Sequence, residues 1–128
     1  MIIPRKSIGR FILGDSIQNV VNILESIKMN YVISENQAGV HITCDYYRLF
    51  FEGSIRLLSQ ITLYKNCNEK YNKFIHIGST IDSLNSHGML EFDAEEEIYT
   101  LKDIDGICFE TDINDKGVEI IFAISVFL

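Results

Sequence analysis

Proline occurs once in this 128-residue chain and tryptophan not at all. A single proline beside 47% hydrophobic residues excludes a collagen-like or intrinsically disordered chain. No apolar run approaches the roughly 18 residues that a membrane-spanning helix needs. The first ten residues, M-I-I-P-R-K-S-I-G-R, put charges where a secretory leader requires an apolar stretch, and no small-residue cleavage site follows. Cysteine is sparse as well. Cys44, Cys67 and Cys108 are odd in number, widely spaced and without a C-x-x-C pair, which suits free thiols in a reducing compartment. These absences lead to the expectation of a cytoplasmic protein that avoids membranes. The length suits one domain over residues 1–128, long enough to bury a core.

Acidic residues are in excess in one half only. Residues 1–64 carry six Lys/Arg and five Asp/Glu, a net of +1, whereas residues 65–128 carry five and thirteen, a net of −8. Within 91–119 eleven acids (Glu91, Asp93, Glu95, Glu96, Glu97, Asp103, Asp105, Glu110, Asp112, Asp115 and Glu119) face only Lys102 and Lys116. Such a surface repels nucleic acid and most membranes and attracts basic partners. Folding alone does not require that asymmetry.

What the chain does contain is a phrase written twice. Residues 12–21 read I-L-G-D-S-I-Q-N-V-V and residues 76–85 read H-I-G-S-T-I-D-S-L-N, 64 positions later. A second echo pairs 55–64, I-R-L-L-S-Q-I-T-L-Y, with 118–127, V-E-I-I-F-A-I-S-V-F, at an offset of 63. Most of those ten columns match in residue type; Arg56/Glu119 and Ser59/Phe122 do not. In the first copy Ser16 is placed to cap a helix whose apolar residues, Ile17, Val20, Val21, Leu24 and Ile27, recur at spacings of three and four. In the second, Thr80 precedes a shorter pattern, Ile81 and Leu84, that Asn85, Ser86 and Gly88 close. Strands are expected over about 30–35, 39–44, 46–52, 54–65, 97–101, 105–111 and 117–127, with a polar connection over 65–72. Simple alternation puts Ile55, Leu57, Ile61 and Leu63 on the core face of one long strand, and Val118, Ile120, Phe122, Ile124 and Val126 on that of the other. The expected class is α+β: two tandem similar units, 1–64 and 65–128, each one helix packed on antiparallel strands, sharing a core.

Catalytic and metal-binding patterns are hard to find. His41, His76 and His87 stand alone, with no H-x-x-x-H spacing, so each is expected in a structural or surface role. The stretch D-I-N-D-K-G over 112–117 begins like a calcium loop but has Lys116 at its fifth position and Ala123 at its twelfth, so it is expected to be a hairpin turn. Gly14 and Gly78 precede helix starts without phosphate-loop spacing, and Asp15 would repel an anion. No enzymatic activity, cofactor or metal is expected.

The opening I-G-R-F-I-L-G-D-S-I-Q-N-V-V, with strand, glycine, hydroxyl cap and helix, resembles the start of many small bacterial immunity proteins of contact-dependent growth inhibition and polymorphic toxin systems. The duplicated plan is also similar to the tandem architecture of β-lactamase inhibitor protein. The resemblance implies an immunity protein that blocks the active site of a cognate toxin C-terminal domain, basic and an RNase or DNase, without itself binding nucleic acid. The contact residues expected from charge and position are Glu95, Glu96, Glu97, Asp103 and Asp105, which bracket one short strand and can converge near its ends, followed by Asp112 and Asp115 on a hairpin tip. The alternative expectation is a small-ligand or sensing domain with its site between the repeat units, lined by Tyr46, Tyr47, Phe50, Phe51, Phe109 and Phe122.

Overall fold

A computed structural model describes residues 1–65 and 67–128. Asn66, within the expected polar connection, lies outside the described residues. Helix α1 (Ile17–Ser26) starts where its cap dictates: the Ser16 backbone is extended and its Oγ accepts from the Asn19 N–H at 3.1 Å. Its apolar stripe buries Val20 and Leu24 completely. Helix α2 (Ile81–Asn85) begins in the same way, with Thr80 Oγ1 accepting from the Ser83 N–H at 3.3 Å, but ends after five residues. Only Ile81 and Leu84 are available to anchor it.

Strand is the dominant conformation. Eight antiparallel strands form one sheet: β4 (Tyr31–Glu35), β5 (Gly39–Cys44), β6 (Tyr47–Glu52), β7 (Leu58–Leu63), β8 (Leu90–Asp93), β9 (Ile98–Leu101), β10 (Ile104–Ile113) and β11 (Glu119–Phe127). Their order is β4-β5-β6-β7-β11-β10-β9-β8. A second, three-stranded sheet is built from β1 (Ile2–Ile3), β2 (Ser7–Ile8) and β3 (Phe11–Ile12). These two sheets and two short helices correct the expected α+β class, because 48% of the chain is strand and only 12% helical. Nor does the chain divide into two helix-on-strand units. β7 pairs with β11 in register from Leu63↔Ile124 to Gln60↔Phe127, so the halves form one hydrogen-bonded sheet. β1, β2 and β8 were not expected from the sequence, whereas β3 falls on the strand expected before Gly14, and no strand forms over 73–77 before Gly78. Buried residues from Ile2 to Val126 form a single cluster beneath the helices and the small sheet.

The duplicated phrase does one backbone job twice. The Gly14 N–H donates to the Leu58 carbonyl and the Leu58 N–H to the Asp15 carbonyl, both at 2.8 Å. In the second half the Gly78 N–H donates to the Ile121 carbonyl at 2.8 Å and the Ile121 N–H to the Ser79 carbonyl at 2.9 Å. Each turn thereby pins the start of a helix to a central strand. Gly14 and Gly78 sit at φ of +91° and +94°, where a Cβ would meet no neighbour, so backbone conformation alone selects glycine.

The face assignment of the two central strands needs correction. Ile55, Leu57, Val118 and Phe122 are exposed, whereas Leu58 and Ile121 are fully buried. Each strand carries one unpaired residue. Phe50 and Phe51 pair with Gln60 and Leu58, skipping Ser59, while Glu110 and Thr111 pair with Ala123 and Ile121, skipping Phe122. An extra residue inverts the faces on one side of the bulge, so uninterrupted alternation gives the wrong set.

Candidate partner-binding site

The acidic residues sit mainly on hairpin turns built by side-chain bonds to backbone. At the β8–β9 turn, Asp93 Oδ1 accepts from the Glu95 N–H at 3.0 Å and the Glu96 N–H at 3.2 Å. That leaves Glu95, Glu96 and Glu97 exposed on the turn. At the β10–β11 turn, Asn114 Oδ1 accepts from the Lys116 N–H at 2.9 Å and the Val118 N–H at 3.0 Å, and Asp115 is exposed beside it. Asp112, also exposed, bonds the Ile113 N–H at 2.8 Å. Asp103, at φ +61°, and Asp105 lie at the β9–β10 turn and the start of β10.

Antiparallel order places successive hairpins at alternate ends of a sheet. Glu95, Glu96, Glu97, Asp112 and Asp115 therefore share one end, and Asp103 and Asp105 occupy the other. The expected convergence of Glu95–Glu97 with Asp103 and Asp105 does not occur. They bracket β9, and four strand residues separate them by roughly 13 Å.

Few of these charges are neutralised internally. Among the described residues the ion pairs are the Met1 amine with Glu69 and Arg56 with Glu35, the latter at 2.9 Å. Neither involves an acid from 91–119. Arg56 sits in the β6–β7 connection. Tyr64 has Arg48 over its ring, 5.2 Å from the centroid.

Beside the acidic turns are exposed apolar residues that sequence reasoning missed. Phe92 and Ile113 are 57% and 60% exposed on the strand face that elsewhere forms the core. The Phe92 ring lies 5.0 Å from that of half-buried Tyr99. Burial, then Glu119 and Asp82, push the Tyr99 hydroxyl above its ordinary pKa. Glu119 also accepts from Thr111 Oγ1 at 2.7 Å. The alternation L-E-F-D over 90–93 was the available sequence signal for this edge strand.

Elsewhere the side chains do structural work. Cys108 is pushed up to about 11, chiefly by burial, and burial also raises Cys44, so both thiols stay protonated and weakly nucleophilic. His76 Nδ1 lies 2.8 Å from the Ile77 carbonyl and His87 Nδ1 2.9 Å from that of Ser83, while His41 stacks on Phe50 at 4.8 Å. Among the described residues no group of three His, Cys, Asp or Glu side chains is placed to hold a metal. No described helix is long and apolar enough to cross a membrane. The six aromatics expected around a ligand are dispersed. Tyr47, Phe51 and Phe109 are core, Phe122 is an exposed bulge residue, Tyr46 lies in the β5–β6 turn and Phe50 is on the helix-free face. A cleft lies instead between Met1–Pro4 and Asn68–Lys73. No family model, curated protein or solved structure matches the chain.

Proposed function

We propose that this chain is a cytoplasmic inhibitor that binds and neutralises a basic protein domain, as an immunity protein neutralises a nuclease toxin by covering its active site. The observation that carries this reading is the set of exposed carboxylates on the β8–β9 and β10–β11 turns, none of which pairs with a described Lys or Arg. Crowding like charge on one end of a sheet costs stability through repulsion, and a basic partner relieves it. A nuclease active site is such a partner, since it is basic in order to hold phosphates. Carboxylates that occupy those phosphate positions compete with nucleic acid, while the remaining acids steer the encounter.

The test has two stages. Protein captured by the unaltered chain from its own cells is identified, expressed alone for toxicity, and then co-expressed with the chain for relief. A basic, toxic protein whose toxicity is relieved is the expected outcome. The variant Glu95→Lys, Glu96→Lys, Glu97→Lys, shown to remain folded by circular dichroism, should then bind at least about tenfold more weakly, with a shallower salt dependence. Capture of no basic protein, or affinity and salt slope untouched by this variant and by Asp112→Lys with Asp115→Lys, would refute the proposal.

A further inference from the structure

Both edge strands expose a core-side apolar residue, Ile33 at 48% and Phe92 at 57%, but the strand next to the edge is fully covered only on the β4 side. Near β4, helix α1 reaches the sheet edge, and the Tyr31 hydroxyl donates to Glu25 Oε1 at 2.7 Å, tying the last helical turn to the edge strand. Ile42, in the second strand from that edge, is fully buried. Tyr99 holds the corresponding second-strand position at the other edge, but α2 stops at Asn85 and packs against β11. Nothing among the described residues covers Phe92 and Ile113, and the carboxylates of Asp82 and Glu119 border Tyr99 between them.

We infer that this uncovered flank is the surface on which the partner docks, and that its occupant is an arginine- or lysine-bearing segment of the partner protein. This rests on the inhibitor reading and names the face that performs it. The argument combines two independent features. Core-side apolar groups left bare at a sheet edge favour burial, with aromatic side chains the preferred anchors of protein interfaces. Charge complementarity then selects the occupant. The methylenes of an arginine can lie along Phe92 while its guanidinium stacks on an aromatic face and pairs with Glu119 or Asp82, and Ile113, two strands away and four residues further along, meets another residue of the same segment. An acidic or neutral segment would desolvate those carboxylates without compensation.

The absence of tryptophan from the chain makes a direct test possible. Phe92→Trp places one indole in the flank, and Ile33→Trp places one in the opposite edge strand as a control. Octa-arginine is titrated into each. The expected result is a saturable emission change for Phe92→Trp only, which weakens with added salt and becomes about tenfold less sensitive when Ile113→Ser and Asp82→Asn are added. Equal responses at both edges, or a response indifferent to Ile113→Ser and Asp82→Asn, would overturn the assignment. Should Phe92→Trp fail to fold, amide shifts of residues 98–100 in the unaltered chain replace the fluorescence. Movement there on adding octa-arginine supports the flank, and no movement overturns it. A basic partner captured with undiminished affinity by Phe92→Ser, Ile113→Ser would overturn the docking surface while leaving the inhibitor reading intact. Failure to capture any basic protein sinks that reading and leaves the octa-arginine result to decide the surface.

Discussion

The half of the sheet beneath α1 and the half beneath α2 share a strand layout but not a cover. In both, a glycine turn is hydrogen-bonded to a central strand, a hydroxyl caps a helix, and four strands follow in antiparallel order. One helix runs for ten residues and the other for five. That difference is written in the few residues after Leu84, where Asn85, Ser86 and Gly88 stop the pattern that Leu24 and Ile27 continue in the first half. Missing helix turns leave Tyr99, in the strand next to the edge, only half-buried where Ile42 of the first half is fully buried. The bare flank falls in the half that carries the excess of acids, so a folding difference and a charge difference coincide. The coincidence suits a surface that a basic partner completes.

The sharpest way to break this comparison is to weaken each cover in turn. Leu24 is fully buried on the inner face of α1, and Ile61 is fully buried in the sheet. Leu24→Ala and Ile61→Ala should each lower unfolding stability by ~2–5 kcal/mol in urea titration. Leu84→Ala, in a helix of little more than one turn, should fall at the bottom of that range, about 2 kcal/mol. Equal losses at Leu24 and Leu84 would show that the shorter helix carries as much of the core as the longer one. Losses below about 1 kcal/mol at both Leu24 and Ile61 would contradict the packing altogether.

Much of this arrangement was legible in the chain before any coordinates, and the limits have physical causes. Periodicity and capping located α1, and turn residues bounded β4, β5 and β6 closely. The fold class went wrong because a five-residue helix and a ten-residue helix both begin with hydroxyl, apolar residue and a three-residue spacing, so two helical starts were read as two helical layers. β8 was missed because Leu90 and Phe92 alternate with acids over only four residues, too short a run for period two to stand out. The acidic turns were found by charge alone. Their division between two ends of the sheet depends on hairpin order, which composition does not encode. Phe92, Tyr99 and Ile113 could not be singled out, since an uncovered apolar residue and a buried one look alike until the missing helix turns are seen.

The helix caps sharpen the comparison on a smaller scale. Ser16→Ala removes the acceptor for the Asn19 N–H and should cost about 1 kcal/mol. Thr80→Ala removes a longer bond, 3.3 Å, from a helix with less to lose, and about 0.5 kcal/mol is expected. Thermal or urea unfolding of the two variants side by side checks the ratio. A larger loss at Thr80 would mean that its extended backbone, bridged to Ile120, matters more than the helix it caps.

The smallest effect expected is at the bulges, and it bears on why the two long echoes disagree where they do. Of the ten aligned columns, Ser59/Phe122 is one that pairs unlike residues, and both members are the residues skipped in strand pairing. A skipped residue is released from the packing that makes equivalent positions alike, so serine and phenylalanine are both admissible there. Ser59 has found a local role, accepting from the Glu52 N–H at 3.2 Å and donating to the Leu57 carbonyl at 2.8 Å. Phe122 is 42% exposed. Phe122→Ser should therefore change stability by no more than about 0.5 kcal/mol, read from urea midpoints at unchanged m-value. Ile121, fully buried one position earlier, serves as the control, because a serine there puts a hydroxyl into the core. If Phe122→Ser destabilised as much as Ile121→Ser, the bulge would not free its side chain, and the mismatch between the echoes would need another cause.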